Sequence, residues 1–199
     1  MTYKIKNPAY KIITDWVEKK SSVLDLGCGD GELLSLLVEN KNVKAMGIEI
    51  SEQAIYLCVA KGISVVHENI ENGLNGYADK SFDYVILYNT FQEVKNAAVV
   101  LDEALRVGKK VIVGFPNFAY YKARLQIFFS GRVPVIPTIP FHWYDTPNLH
   151  FLSIFDFTDY CCIKKMKIEK SAFISRDRRI KLLPNFFADT GIFVLGDGV

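Results

Sequence analysis

The chain has 199 residues, half of them hydrophobic, and 24 basic side chains stand against 22 acidic ones for a net charge of +2. That length fits one domain, residues 1–199, able to bury a substantial core, and the composition excludes a disordered chain. So small a basic excess argues against nucleic acid as a partner, and no apolar run reaches the roughly eighteen residues of a membrane span.

The charged start, Met1 to Lys6, lacks the apolar run of a secretory signal. Pro8 then opens a helical pattern with Ile12, Ile13, Trp16 and Val17 on one face. Val23–Leu26 reads as a buried strand, residues 31–39 as a helix with Leu33, Leu34, Leu36 and Leu37 inward, and residues 44–50 as a second strand. Ser51 is a natural N-cap for a helix over 52–61, with Gly62 as its stop. Residues 63–67, 83–88 and 111–115 read as further strands, with a helix over Ala97–Val107 closed by Gly108.

This rhythm predicts an α/β fold, a mostly parallel doubly wound sheet with helices on both faces. Beyond it, residues 153–163 read as a helix and residues 167–173 and 191–195 as strands, the last expected to pair antiparallel at the edge. Between strand and late helix lies an insertion, residues 117–152. Asn117 is read as capping a helix whose apolar face is Phe118, Tyr121, Leu125 and Phe128, ended by Gly131. A stretch with Pro134, Pro137, Pro140 and Pro147 and the aromatics Phe141, Trp143 and Tyr144 follows, and reads as a lid or partner surface.

Cys28, Cys58, Cys161 and Cys162 form no C-x-x-C pair, which fits neither a zinc site nor a disulfide framework. Each reads as a small buried hydrophobe in a reducing, cytoplasmic setting. No metal site is expected. The late basic residues Lys164, Lys165, Lys167, Arg176, Arg178, Arg179 and Lys181 read as a solvated helix end and strand rim.

The chemistry concentrates where the first strand turns into its helix: Asp25, Gly27, Cys28, Gly29, Asp30, Gly31, Glu32. Glycines permit the tight turn and let a ligand approach the backbone. For a dinucleotide pattern the third glycine comes one place early, and Glu32 stands where it should be. Asp25, Asp30 and Glu32 would also repel a pyrophosphate by about 1 kcal/mol each in water and more near a protein surface. S-adenosylmethionine (or S-adenosylhomocysteine) has no phosphate, and the former carries a sulfonium and an ammonium. Glu49, about twenty residues on at the end of the second strand, is placed to accept both ribose hydroxyls. Ile50 and Ile70 are expected to sandwich the adenine, Asn69 to meet its edge, and Tyr88, Asn89 and Thr90 to reach the same crevice. In the insertion, Asn117, Trp143, Tyr144, Asp145 and His150 are the candidates for substrate or partner contact; His142, Tyr144, Asp145 and His150 could act as bases, and no dyad is evident among them.

The segments VLDLGCGDGELL (23–34), SFDYVIL (81–87), LRVG (105–108), FPNF (115–118), RLQ (124–126), GRVP (131–134) and WYDTPN (143–148) together resemble the methionine biosynthesis protein MetW family. The first is shared by many class I methyltransferases, whereas FPNF and WYDTPN are far more specific. The resemblance implies a class I methyltransferase fold and a role in methionine synthesis alongside homoserine O-acyltransferase, with methyl transfer to an unidentified small molecule as the alternative activity. The chain departs from the family at Glu68-Asn69, where Gly-Asp is common, and at Tyr88-Asn89, where Ser-Gln is common.

Overall fold

Short aliphatic and β-branched runs alternate with capped helices along the chain, and the runs pair into one eight-stranded sheet. The computed structural model describes residues 7–196; the charged N-terminal segment read above lies outside them. In chain order the elements are α1 (Pro8–Trp16), β1 (Ser22–Leu26), α2 (Glu32–Lys41), β2 (Lys44–Glu49), α3 (Glu52–Ala60), β3 (Ser64–His67), β4 (Phe82–Tyr88), α4 (Ala97–Val107) and β5 (Gly108–Pro116). Then come α5 (Tyr121–Ser130), α6 (Ile154–Ile163), β6 (Lys167–Ser175), β7 (Arg178–Arg179), α7 (Pro184–Phe187) and β8 (Thr190–Gly196). Side chains fix several helix starts. Asn7 accepts from the Ala9 amide ahead of Pro8, Ser51 from Ala54, and Ser153 forms a reciprocal capping box with Asp156.

The strand order is β3-β2-β1-β4-β5-β8-β6-β7, with the first five parallel. Successive residues point to opposite faces, so Leu24, Val85, Leu87, Val111 and Val113 pack under α4 and α6, while Val23, Ile86 and Ile112 pack with α1 and α2. Both faces are therefore covered, as a parallel sheet requires. The order reverses direction between β1 and β4, which opens a crevice at their carboxyl ends.

Three expectations are corrected here. β8 pairs antiparallel, yet it sits inside the sheet between β5 and β6 rather than at the edge. Every residue of β8 is buried, and the more polar β6–β7 hairpin, with Lys167, Glu169 and Lys170 exposed or half-buried, forms the rim instead. Secondly, α5 starts at Tyr121, and its one buried residue is Ala123; Leu125 and Phe128 of the expected inward face are exposed. Asn117 does not cap it. That side chain is wholly buried, donating to the carbonyls of Asn185 (3.1 Å) and Ala188 (2.7 Å) and accepting from the Ala119 amide, and so ties the insertion to the approach to β8. Thirdly, Cys28, Cys58 and Cys161 are buried as expected, but Cys162 is exposed on α6.

Candidate functional site

At the end of β1 the chain makes a loop that only glycine accommodates readily, because Gly27, Gly29 and Gly31 have φ of 74°, 55° and 74°. Space excludes larger residues as well. A Cβ on Gly27 would lie 2.5 Å from Thr90 Oγ1, and one on Gly31 would lie 2.9 Å from Cys58 Sγ. Five of the loop's amides are already taken. Those of Gly27 and Cys28 donate to the Ile48 carbonyl, Gly29 to Glu49 Oε2 at 2.8 Å, Gly31 to the Cys28 carbonyl, and Glu32 to Asp30 Oδ1. A phosphate cradle needs such amides free to point at the ligand. With five amides turned inward, this loop shapes a wall rather than an anion nest.

The wall belongs to a cavity of about 470 Å³ over the carboxyl ends of β1, β2 and β4. Among the described residues, six carboxylates line it, Asp25, Asp30, Glu49, Glu68, Glu71 and Glu93, and no lysine, arginine or histidine does. Among the described residues, only Asp30 of the six has a basic partner, Lys61 Nζ at 2.7 Å, which holds its carboxyl below the usual range. Asp25 is 4% exposed. Burial, and then the charge of Glu49, push its pKa up to about 7. Glu93 is raised for the same two reasons. A cation entering here would relieve both; a phosphate would meet repulsion.

Of the residues expected at a cofactor, Asp25, Gly27, Cys28, Gly29, Glu49, Ile50, Asn69, Ile70 and Tyr88 all line this cavity, while Gly31 stands behind the loop as the N-cap of α2. Glu49 already holds backbone. Its Oε1 accepts from Ile50 and Ser51 and its Oε2 from Gly29, which leaves about one of roughly four acceptor positions. It can thus take one hydroxyl without surrendering an amide, rather than the two expected. Asn69 uses its Oδ1 to cap the 3-10 turn Ile70–Asn72 through the Glu71 amide, which leaves its NH₂ and the second lone pair of Oδ1 for a ligand edge. The thiols of Cys28 and Cys58 lie 3.8 Å apart, and Cys58 donates to the Gly29 carbonyl at 3.2 Å. Burial pushes both thiols up, so they brace the loop as neutral groups and are poor nucleophiles.

The insertion residues do not converge there. Trp143, Tyr144 and Asp145 are exposed, with Tyr144 between the rings of His142 and Trp143. His150 Nε2 meets the Val94 carbonyl at 2.9 Å, a tie from the insertion to the segment after β4. The sequence reading passed over Tyr10, Leu33, Glu93 and Val94, which also line the cavity. Glu93 was within reach of it, since it follows β4 where ligands of such sheets bind. Tyr10 had no signal, arriving from α1 to pack edge-on against Tyr88 at 5.6 Å. Burial, then the nearby Tyr88, Glu32, Asp25 and Asp30 charges, push its hydroxyl up.

The family model described as methionine biosynthesis protein MetW matches residues 7–195. The chain belongs to the MetW family. A curated relative, the bifunctional methionine biosynthesis protein MetXA/MetW of Rhodopirellula baltica, is 35% identical over 193 residues. Those residues are 90% of this chain and 31% of the relative, so the MetW chain spans about a third of that protein's length. Solved structures similar in fold include a SAM dependent methyltransferase from Archaeoglobus fulgidus, with TM-score 0.71 and 14% identity over 95% of this chain and 91% of that one. Another, from Aquifex aeolicus, has TM-score 0.63 and 14% identity over 96% and 89%. At that identity the likeness is one of fold: this MetW-family chain has the architecture of those methyltransferases. Among the described residues no helix is long and apolar enough to cross a membrane, and no group of His, Cys, Asp and Glu could hold a metal ion.

Proposed function

We propose that the acidic cavity binds S-adenosylmethionine or S-adenosylhomocysteine, and that the chain serves methionine biosynthesis in association with homoserine O-acyltransferase. The carrying observation is charge: a nucleoside-sized cavity lined, among the described residues, by six carboxylates and no basic residue, behind a glycine loop with five of its amides spent. That set suits a cationic nucleoside without phosphate. In this reading Glu49 accepts a ribose hydroxyl on its remaining lone pair, the Asn69 NH₂ meets the adenine edge, and Ile50 and Ile70 flank the ring. Asp25 faces the cationic end. When bound, S-adenosylmethionine supplies an electrophilic methyl on sulfur; the chain's residues orient it and balance its charge.

Calorimetric titration with S-adenosylhomocysteine tests the cavity. Replacing Glu49 by Ala removes one charge-assisted bond, about 1.5–3 kcal/mol, or roughly ten- to a hundredfold in affinity. Unchanged binding would remove Glu49 from the site, and preference for NADH or ATP would end the reading.

The partner half rests on the Rhodopirellula baltica relative, whose name joins MetXA and MetW in one protein. Two parts kept in one chain meet at high effective concentration; separate chains need a surface for the same encounter. The insertion offers aromatic side chains for it, with Phe128 80%, Phe129 78% and Trp143 74% exposed. Co-purification with homoserine O-acyltransferase, with and without S-adenosylmethionine, should succeed for the unaltered chain and fail for Phe128→Ser/Phe129→Ser. Two proteins that ignore each other under both conditions would defeat this half alone.

A further inference from the structure

A groove of about 740 Å³, larger than the cofactor cavity, opens beside the β6–β7 hairpin. Arg176, Arg178, Arg179 and Lys181 line it against the single acid Asp177, a net charge of +3. All four basic residues are exposed, and among the described residues none of them forms an ion pair. The buried acid nearest to them is already committed. Asp189, 8% exposed, accepts through Oδ2 from the Ser175 hydroxyl and the Arg176 amide, both at 3.1 Å, and the Tyr120 hydroxyl meets Ser175 Oγ at 3.2 Å. Those bonds hold the hairpin in place and leave its cations unmatched. Arg178 stands opposite Ser175 across the hairpin and so shares its face.

The rest of the lining is apolar. Tyr121 stacks with Phe186 at 5.9 Å between centroids and packs against Phe187 at 6.2 Å. Leu182 at the groove and Leu183 after it are 74% and 61% exposed. Large aliphatic side chains left in water beside unpaired cations mark a contact surface. From Tyr121 one stripe of α5 runs through Leu125 to Phe128, so the groove continues into the aromatic surface offered above to a partner. A nucleic acid fits less well. The groove's +3 exceeds the +2 of the whole chain, so the remaining surface is acidic on balance and repels a strand running past it. Rings already stacked on each other also offer fewer free faces to bases.

We infer that this groove docks an acidic segment of a partner protein, its carboxylates meeting the four cations while an aliphatic or aromatic side chain seats on Tyr121 and Phe187. For the partner's identity this rests on the homoserine O-acyltransferase reading; for the chemistry of the contact it rests on the groove alone.

The probes are two fluorescein-labelled peptides, titrated into the whole chain and followed by anisotropy. In one, glutamates alternate with leucine and phenylalanine; in the other, glutamine replaces every glutamate. The acidic peptide should bind and the glutamine peptide should not. Raising NaCl from about 0.05 to about 0.5 M should weaken the acidic peptide about tenfold or more, as exposed charges are screened. Arg178→Glu/Arg179→Glu should also weaken it about tenfold or more, whereas Arg178→Lys/Arg179→Lys should hold it. Thermal melting should match the parent in both variants, since these side chains are exposed on an edge strand. Lys164→Glu/Lys165→Glu, the same reversal at exposed positions outside the groove, should leave peptide binding unchanged. Co-purification with homoserine O-acyltransferase should be lost in Arg178→Glu/Arg179→Glu. Failure of the acidic peptide to bind, equal binding of the glutamine peptide, or equal loss in the two reversed variants would each overturn the inference. So would tighter binding of oligothymidylate than of the peptide, or an acyltransferase complex indifferent to Arg178→Glu/Arg179→Glu. If the acyltransferase ignores the unaltered chain as well, the partner reading falls, and the peptide titration still decides the chemistry of the groove.

Discussion

Asp25→Asn should make the ligand-free protein more stable and a worse cation binder, by amounts that depend on pH. The carboxyl is buried, with no hydrogen-bond donor to it among the described residues, and its pKa is raised from 3.8 to about 7 by burial and by Glu49. A raised acid destabilises the fold only where the unfolded chain is ionised. The penalty is therefore absent below about pH 4, grows as pH rises, and levels off above about pH 7. From those two values the penalty is about 2 kcal/mol near pH 5 and about 4 kcal/mol near pH 8. Asparagine is never ionised, so the stability gap between variant and parent should widen by about 2–3 kcal/mol across that interval. Urea unfolding of both proteins at several pH values reads the gap directly. Titration with S-adenosylmethionine should run the opposite way. The parent binds more tightly as pH rises and releases a proton, because a bound cation favours ionised Asp25, while the variant loses that dependence. A stability gap that stays flat from about pH 5 to about pH 8 would refute the claim that the fold holds this carboxyl protonated.

Gly27→Ala should destabilise by about 2–5 kcal/mol, from left-handed backbone plus the overlap with Thr90, and Thr90→Ala in the same chain should recover only the overlap part; thermal or urea melts of the single and double variants separate the two. Asn117→Leu strands the buried carbonyls of Asn185 and Ala188 and should cost about 2–4 kcal/mol in urea unfolding, whereas substitution of a surface polar residue such as Asp145 should cost less than about 0.5 kcal/mol. Glu49→Ala, besides its effect on affinity, should speed exchange of the Gly29 amide proton in hydrogen-exchange measurements, since that amide loses its acceptor.

The parallel half of the fold was legible because its strands are short apolar runs bracketed by glycines and a capping serine, as at Ser51. The glycine loop was legible because alternate glycines followed by acids have few other uses. β8 was harder. A run such as Ile192 to Leu195 announces burial but does not say which strands lie on either side. α5 misled for a related reason: Tyr121, Leu125 and Phe128 keep helical spacing whether they face a core or the outside. Tyr10 joins the cavity through packing of α1 against the sheet, and such convergence leaves no trace in local sequence.

The central position of β8 also bears on how the molecule is made. Its partners β5 and β6 are synthesised first, and Val111 and Leu195 pair across most of the second half of the chain. Until β8 arrives, β5 presents a bare, strongly apolar edge with unmatched amides and carbonyls, the kind of surface that recruits other nascent strands. Such long-range closure is slow relative to local helix formation. Productive synthesis thus depends on shielding that edge during elongation, and lesions in β8 should surface first as aggregation during expression rather than as altered chemistry in the purified protein.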